Sequence, residues 1–265
     1  MTDLLLMQAT LREALRPRRL LIALLLTILP AAIGLLWRLL APKDSFDPSE
    51  VYDSLVVGLI FSFALTILSV TYGTGVVSQE IEQRTIVYLL TRPLPRWRLL
   101  LARFLVSVLV VVCVCVLATV LLALTVFGPT HLGEAGIGPD LKALILGAFA
   151  YGSLFLLLGT AIPRPLTWGL IFVFGWETWV PKLPGSFARL SIMSYLRALA
   201  SREISANPAD SSGSDNILLS FARAPEVAIS SPAAWTTLLI LTTFCTILAM
   251  IIFSHKEYVP REDAE

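Results

Sequence analysis

The stretch VVSQEIEQRTIVYLLTRPLPRWRLLLARFL, residues 76–105, concentrates charge in a chain that otherwise avoids it. It holds two glutamates, five arginines and two prolines, and it joins two long uncharged runs, residues 54–77 and 104–127. The whole chain of 265 residues is 56% hydrophobic and 15% charged. Because soluble domains carry about 25% charged residues, this composition predicts an integral membrane protein. The net charge of +1 gives no basic excess for a nucleic-acid partner, and we expect none.

Six apolar runs in the sequence approach the length needed to cross a membrane. A spanning helix needs roughly 20 mainly apolar residues. The runs are residues 20–37, 54–77, 104–127, 143–162, 166–180 and 235–253. The fifth is short and contains Glu177, but Pro165 and Pro181 bound it as a helix of its own. We therefore expect one all-α transmembrane domain, residues 1–265, with six spans surrounded by membrane lipids.

Basic residues in short loops predict which ends of the spans face the cytoplasm. Arginines precede span 1, fill the segment between spans 2 and 3, and join span 4 to span 5 at Arg164. The loop after span 1 is mainly acidic. This pattern predicts cytoplasmic termini, a cytoplasmic segment at residues 78–98 and a long external loop at residues 182–231. The expected location is the cell inner membrane or plasma membrane.

Apolar residues at helical spacing predict further structure outside the spans. One stripe within residues 4–15 favours an interfacial helix over residues 1–19, and the alternative is a simple extension of span 1. A second stripe, within residues 187–196, favours short helices on or in the outer leaflet. A plain exposed loop is the alternative there.

Glu177 is the one acidic residue inside a predicted span. Ionisable groups within membranes often mark a transport pathway. Counting about 1.5 Å per residue from Pro165 places Glu177 toward the outer interface, where Trp176 and Trp179 resemble belt aromatics. The sequence leaves two roles open, one in a pathway and one as an interfacial or structural residue.

The charged segment itself predicts a short cytoplasmic helix. Ser78 is placed to cap that helix, with Glu80 and Glu82 in its first turn. Glu80 and Arg84 form an i,i+4 pair, and Pro93 ends the helix. A loop that only fixed topology would explain the arginines but would leave the glutamates and prolines unexplained.

The sequence EQRTIVYLLTRPLPRWRLLLAR, residues 82–103, resembles the cytoplasmic signature of type-2 ABC transporter membrane subunits, the ABC-2 family permeases. That signature usually has a Glu, a Gly-Thr pair, a Leu-Leu pair, a Pro, an Arg and then a Lys at the next span. The matching residues are Glu82, Thr85, Leu89, Leu90, Pro93 and Arg96. Two positions differ, since Arg84 replaces the usual Gly and Arg103 the frequent Lys.

The resemblance implies a coupling helix that docks on a separate ATPase subunit. Two such ATPases would assemble with two membrane subunits, alike or different, and would bind ATP and Mg. This chain has no G-x-x-x-x-G-K-[ST] phosphate loop, so we expect no enzyme activity, cofactor or metal on it. The expected ATPase-docking residues are Glu80, Glu82, Arg84, Thr85, Leu89, Leu90, Pro93 and Arg96. The implied function is that of a permease that couples ATP hydrolysis to export.

Three other functions compete with export. The same architecture can pass ATP-driven motion to a periplasmic partner or maturation factor, and the sequence does not separate this from export. An ion-coupled carrier should show repeats and several ionisable groups in mid-membrane, but only Glu177 is present. An intramembrane enzyme would need a metal or nucleophile constellation, and the two histidines, His131 and His255, are far apart in the chain.

Overall fold

The computed structural model describes residues 17–40, 47–82, 96–129, 136–180, 185–200 and 229–255, which are helical and contain no strand. The α-helices in these ranges are α1 (Pro17–Leu40), α2 (Pro48–Leu55), α3 (Thr66–Glu82), α4 (Arg96–Val126), α5 (Ile137–Ala161), α6 (Pro165–Ile171), α7 (Ile192–Ala200) and α8 (Ser231–His255). Val56–Leu65 forms a first π segment, Phe172–Glu177 a second π segment, and Gly185–Leu190 a 3₁₀-helix. The predicted all-α class is confirmed for this part of the chain.

Within the ranges that the structure describes, five helices are long and apolar enough to cross a membrane. They are Leu20–Leu40, Pro48–Val77, Trp97–Val126, Ile137–Ala161 and Ser231–His255. They correspond to predicted spans 1, 2, 3, 4 and 6. Predicted span 5 is helical over residues 165–180, but that length covers at most about 24 Å, less than the hydrocarbon core of about 30 Å. A sixth crossing therefore stays a prediction.

The helices extend beyond the predicted spans because charged residues can remain helical outside the hydrocarbon. α4 begins at Arg96 instead of residue 104, and α5 begins at Ile137 instead of residue 143. The predicted cap at Ser78 is wrong, since α3 continues through this residue to Glu82. A serine within a continuous helix has no helix start to cap.

Several predicted features lie wholly or partly outside the described residues. Residues 1–16 of the predicted interfacial helix do so, while residues 17–19 belong to α1. The same holds for residues 83–95 of the charged segment and for residues 182–184 and 201–228 of the predicted external loop. The side of the membrane on which the termini lie also stays a prediction.

The second span is the centre of the helix bundle. In the most apolar stretch of this span 78% of the residues are buried, whereas the corresponding shares are 28% for α1 and 22% for α8. α5 packs against both α3 and α8, and α1 packs against α4. α3 and α5 are therefore inner helices of the bundle.

Hydroxyl groups in the first π segment and directly after the second donate hydrogen bonds back along the chain. Ser62 donates to the carbonyl oxygen of Val57 at 2.9 Å, and Thr178 donates to that of Val173 at 3.1 Å. A spacing of five residues fits the wider turn of a π-helix, a geometry that is rare and frequent at functional sites. The two segments lie in spans 2 and 5.

The segment after the second π segment folds back into the bundle. We call residues 185–200, the 3₁₀-helix and α7 together, the re-entrant segment. Its helix α7 packs against α5, α8 and the first π segment. The side chain of Leu196 is completely buried. The predicted short helices are present here, and they lie among the spans.

Candidate functional site

The charged segment between spans 2 and 3 starts at the end of α3 and finishes at the start of α4. Glu80 and Glu82 lie in the last turn of α3, so their predicted place in the first turn of a separate helix is wrong. Arg96 is the first residue of α4. The other predicted docking residues lie outside the described residues; they are Arg84, Thr85, Leu89, Leu90 and Pro93. A docking role for any of these residues stays a prediction.

The two helices that carry this segment are anchored in the core. Val77 near the end of α3 and Leu100 near the start of α4 are each 2% exposed, and the two helices pack against each other. Trp97 and Arg98 are exposed, with the guanidinium 5.8 Å from the centroid of the indole ring. A displacement of the segment would therefore act directly on packed helices.

α3 and α5 approach each other closely at glycine residues. A Cβ atom on Gly73 would lie 2.9 Å from the Cβ of Phe155 and 3.2 Å from the carbonyl oxygen of Gly152. A Cβ on Gly159 would lie 3.2 Å from the carbonyl oxygen of Thr74. Small residues allow such close approach between membrane helices. The contact leaves little room for α3 to move independently of α5.

Glu177 lies buried where the second π segment meets α5 and the re-entrant segment. Its Oε1 atom accepts hydrogen bonds from the Tyr151 hydroxyl at 2.5 Å, the Ser191 hydroxyl at 2.9 Å and the Met193 backbone N–H at 2.6 Å. Its Oε2 atom is buried and has no hydrogen-bond partner among the described residues. Three parts of the chain thus meet at a single carboxylate oxygen.

Glu177 packs beside the middle of α5. Its partner Tyr151 is fourteen residues after Ile137 and ten before Ala161, or about 21 Å and 15 Å from the two ends of α5. The expected position of Glu177 toward the outer interface came from counting along its own helix, and it stays a prediction. A pathway or interface role for Glu177 stays a prediction.

Arg197 of α7 adds a positive charge beside this carboxylate. Its guanidinium interacts electrostatically with both Tyr151 and Glu177. Ionisable groups inside membrane proteins usually pair with one another. The group of Glu177, Tyr151, Ser191, Met193 and Arg197, which we call the Glu177 cluster, can therefore hold its charges without contact with bulk water.

Aromatic rings connect the Glu177 cluster to the second π segment. Tyr151 stacks on Phe155 with ring centroids 6.2 Å apart, and Phe155 meets Phe172 edge-on at 6.1 Å. Phe172 in turn stacks on Trp176 at 6.5 Å. Tyr151 and Phe155 form one aromatic pair at i,i+4 spacing, and Phe172 and Trp176 form another on the next span. These two pairs were the sequence signal that could have identified Tyr151 as a neighbour of predicted span 5.

Sequence analysis also missed a buried acid at the opposite ends of these helices. Asp140, in the first turn of α5, is completely buried and accepts a hydrogen bond from the Tyr52 hydroxyl at 3.2 Å. The Tyr52 ring meets Phe127 edge-on at 5.5 Å, and Arg38 donates to the carbonyl oxygen of Thr125 at 3.0 Å. These contacts join α1, α2, α4 and α5 far from Glu82 and Arg96.

Comparison with known protein families identifies the chain. A family model described as an ABC-2 family transporter protein matches residues 13–173, which is more than half of the chain. The match includes the charged segment and the spans on both sides of it. No curated protein matches the chain. The family match confirms the resemblance found in residues 82–103, and the chain belongs to the ABC-2 family of transporter membrane proteins.

Proposed function

We propose that this multi-pass permease subunit of an ABC transporter couples ATP hydrolysis by a separate ATPase subunit to export of a substrate. Two permease copies and two ATPases form the working complex, and ATP and Mg bind to the ATPases. Membership of the family supports the association with an ATPase and the dimer in general terms. The coupling element is the charged segment, residues 78–98.

The observation that carries this proposal is the close contact between α3 and α5. The helix that ends at Glu82 meets backbone atoms of α5 at Gly73 and Gly159. Backbone atoms cannot move aside as a flexible side chain can, so a push on the end of α3 reaches α5. Packed interfaces of this kind change between discrete arrangements instead of deforming continuously.

The proposed docking surface combines polar and apolar contacts. Glu80, Glu82 and Arg84 provide the polar contacts, and Leu89 and Leu90 provide the apolar anchor. The remaining predicted contacts are Thr85, Pro93 and Arg96. In this proposal the ends of α3 and α4 face the cytoplasm, where the ATPase is located, together with both termini of the chain.

The test uses the complex of the full-length chain with the ATPase that co-purifies with it. Glu82→Ala or Leu89→Ala should leave membrane insertion intact and lower both ATPase recovery and ATPase activity by about tenfold, as expected for lost anchor residues of an interface. Glu50→Ala is the matched control, because Glu50 is an exposed carboxylate near the other end of the same span. Full ATPase binding and activity in both variants would overturn the docking assignment.

A further inference from the structure

The re-entrant segment reaches the middle of the bundle. A Cβ on Gly147 of α5 would lie 2.9 Å from Leu196 Cδ1 of the re-entrant segment and 2.8 Å from Leu65 Cδ2 of the first π segment. Gly147 is ten residues after the start of α5, a depth of about 15 Å. The re-entrant segment therefore fills the space between span 2, span 4 and the second π segment.

Glu177 supplies the main polar attachment of this segment. Ser191 and Met193 lie at the start of α7, where backbone N–H groups lack partners within their own helix. The carboxylate accepts from both residues and so caps α7 from a neighbouring element. The hydroxyl of Tyr151 joins the same oxygen to α5. The rest of the described attachment combines a hydrogen bond from the Trp176 indole N–H to the carbonyl oxygen of Leu190 at 3.4 Å with the buried side chains of Leu196 and Leu199.

The attachment is strong on one side of the carboxylate and incomplete on the other. Oε1 accepts three hydrogen bonds, whereas the buried Oε2 has no partner among the described residues. A desolvated carboxylate oxygen without a partner is costly. Release of the segment would let water reach this oxygen, which lowers the free-energy difference between the attached and released states.

We propose that Glu177 is the positioning residue of a gate, in which its carboxylate holds the re-entrant segment between the spans and its release opens the bundle. The gate lies beside the middle of α5, between Gly147 and Tyr151. The inference rests on the proposed transport function, because export requires a pathway through the bundle to open when α3 and α5 are displaced.

The experiment measures how fast a thiol on the buried face of the re-entrant segment reacts in lipid vesicles. The three native cysteines are Cys113, Cys115 and Cys245. They are replaced by Ala in the full-length chain, and Leu196→Cys then places a single thiol at the buried contact with Gly147. A membrane-impermeant maleimide is applied to both faces of the vesicles. A parallel chain that keeps only Cys115, which is completely buried in α4, reports on global unfolding.

The gate makes distinct predictions for variants of the cluster. Glu177→Ala should raise the labelling rate at position 196 by about tenfold, the size expected when a local opening loses its main polar attachment. Glu177→Gln keeps an acceptor oxygen and should retain most of the protection. Ser191→Ala removes one of the three donors and should raise the rate by about threefold. The matched control is Thr178→Ala, whose hydroxyl bonds only within its own helix in the described structure, and it should change nothing.

Either of two results overturns the gate when Cys115 stays protected. The first is a labelling rate in Glu177→Ala within twofold of that of the parent. The second is an equal rise in Thr178→Ala. If Glu177→Ala also exposes Cys115, Ser191→Ala decides the question. A higher labelling rate at position 196 without a higher rate at Cys115 supports the gate. An unchanged labelling rate at position 196 rejects it. Because labelling needs no ATPase, the gate and the docking proposal can fail separately.

Discussion

Two charged regions of this protein were found in different ways, one from the sequence and one from the structure. The charged segment at residues 78–98 shows in the sequence as a dense pattern of acids, arginines and prolines. The Glu177 cluster shows there as a single acid, and the hydrogen-bond partners of Glu177 are 26, 14 and 16 residues away along the chain. Charge beside a membrane is solvated and needs no internal partner, whereas charge within the bundle must find donors on neighbouring elements.

The two regions are connected through α3 and α5. α3 ends at Glu82 in the charged segment, and α5 carries Tyr151 of the Glu177 cluster. The glycine contacts at Gly73 and Gly159 lie between these points. The comparison therefore predicts that damage to the helix contact harms both regions, while damage to one region leaves the other intact.

The largest effect is expected when the contact between α3 and α5 is broken. Gly73→Leu would place side-chain atoms against the Cβ of Phe155 and the carbonyl oxygen of Gly152. We expect it to lower the free energy of unfolding by about 3 kcal/mol, as overpacking of a close contact does. Denaturant unfolding in detergent measures the loss, and ATPase activity of the complex should fall with it.

Gly138→Leu provides the control for this substitution. Gly138 lies in α5, and a Cβ there meets no described atom within 4 Å. The control therefore makes the same Gly→Leu change within a helix but creates no clash. Equal stability of the two variants would show that the close contact between α3 and α5 is not essential, and the connection between the two charged regions would be lost with it.

Sequence analysis predicted the helices better than their contacts. Apolar runs predict spans because lipid requires apolar residues in a helix along the whole segment. Five of the predicted spans correspond to long apolar helices. The hydrogen-bond partners of Glu177 and the burial of Asp140 were not predictable in this way. Both depend on tyrosines, Tyr151 and Tyr52, that lie on other helices.

A smaller effect is expected from loss of one donor to Glu177. Tyr151→Phe removes the hydroxyl at 2.5 Å from Oε1 and keeps the ring that stacks on Phe155. A hydrogen bond to a charged group contributes about 2 kcal/mol, so we expect a loss of that order in the free energy of unfolding. Thermal or denaturant unfolding of the full-length chain in detergent measures it.

Tyr195→Phe is the matched control for this prediction. Tyr195 is a partly buried tyrosine of α7 and does not belong to the Glu177 cluster. We expect less than about 0.5 kcal/mol of change there, as for substitutions away from specific contacts. ATPase binding should survive in both variants, since neither tyrosine lies in the charged segment. A loss of ATPase binding in Tyr151→Phe alone would show that the two regions act as one.

The smallest effect concerns an acid whose partner is close in the sequence. Asp47 caps α2 by accepting from the backbone N–H of Ser49 at 2.9 Å and from its hydroxyl at 2.6 Å. These bonds, the hydroxyl first, lower the pKa of Asp47 below its ordinary value. The cap therefore stabilises α2 above the unfolded-state pKa of about 3.8, and this contribution is lost as the pH falls through the lower folded-state value.

Asp47→Ala should cost about 0.5 kcal/mol at neutral pH, the low end for caps because the residue is exposed. Hydrogen exchange of the first-turn amides of α2 should rise about twofold, while Asp47→Asn, which keeps an acceptor, should leave it nearly unchanged. At a pH below the folded-state pKa, Asp47→Ala and the parent should exchange alike. A loss of unfolding free energy in Asp47→Ala as large as that in Tyr151→Phe would contradict the comparison. A solvated acid with a local partner would then contribute as much to stability as the buried carboxylate of Glu177.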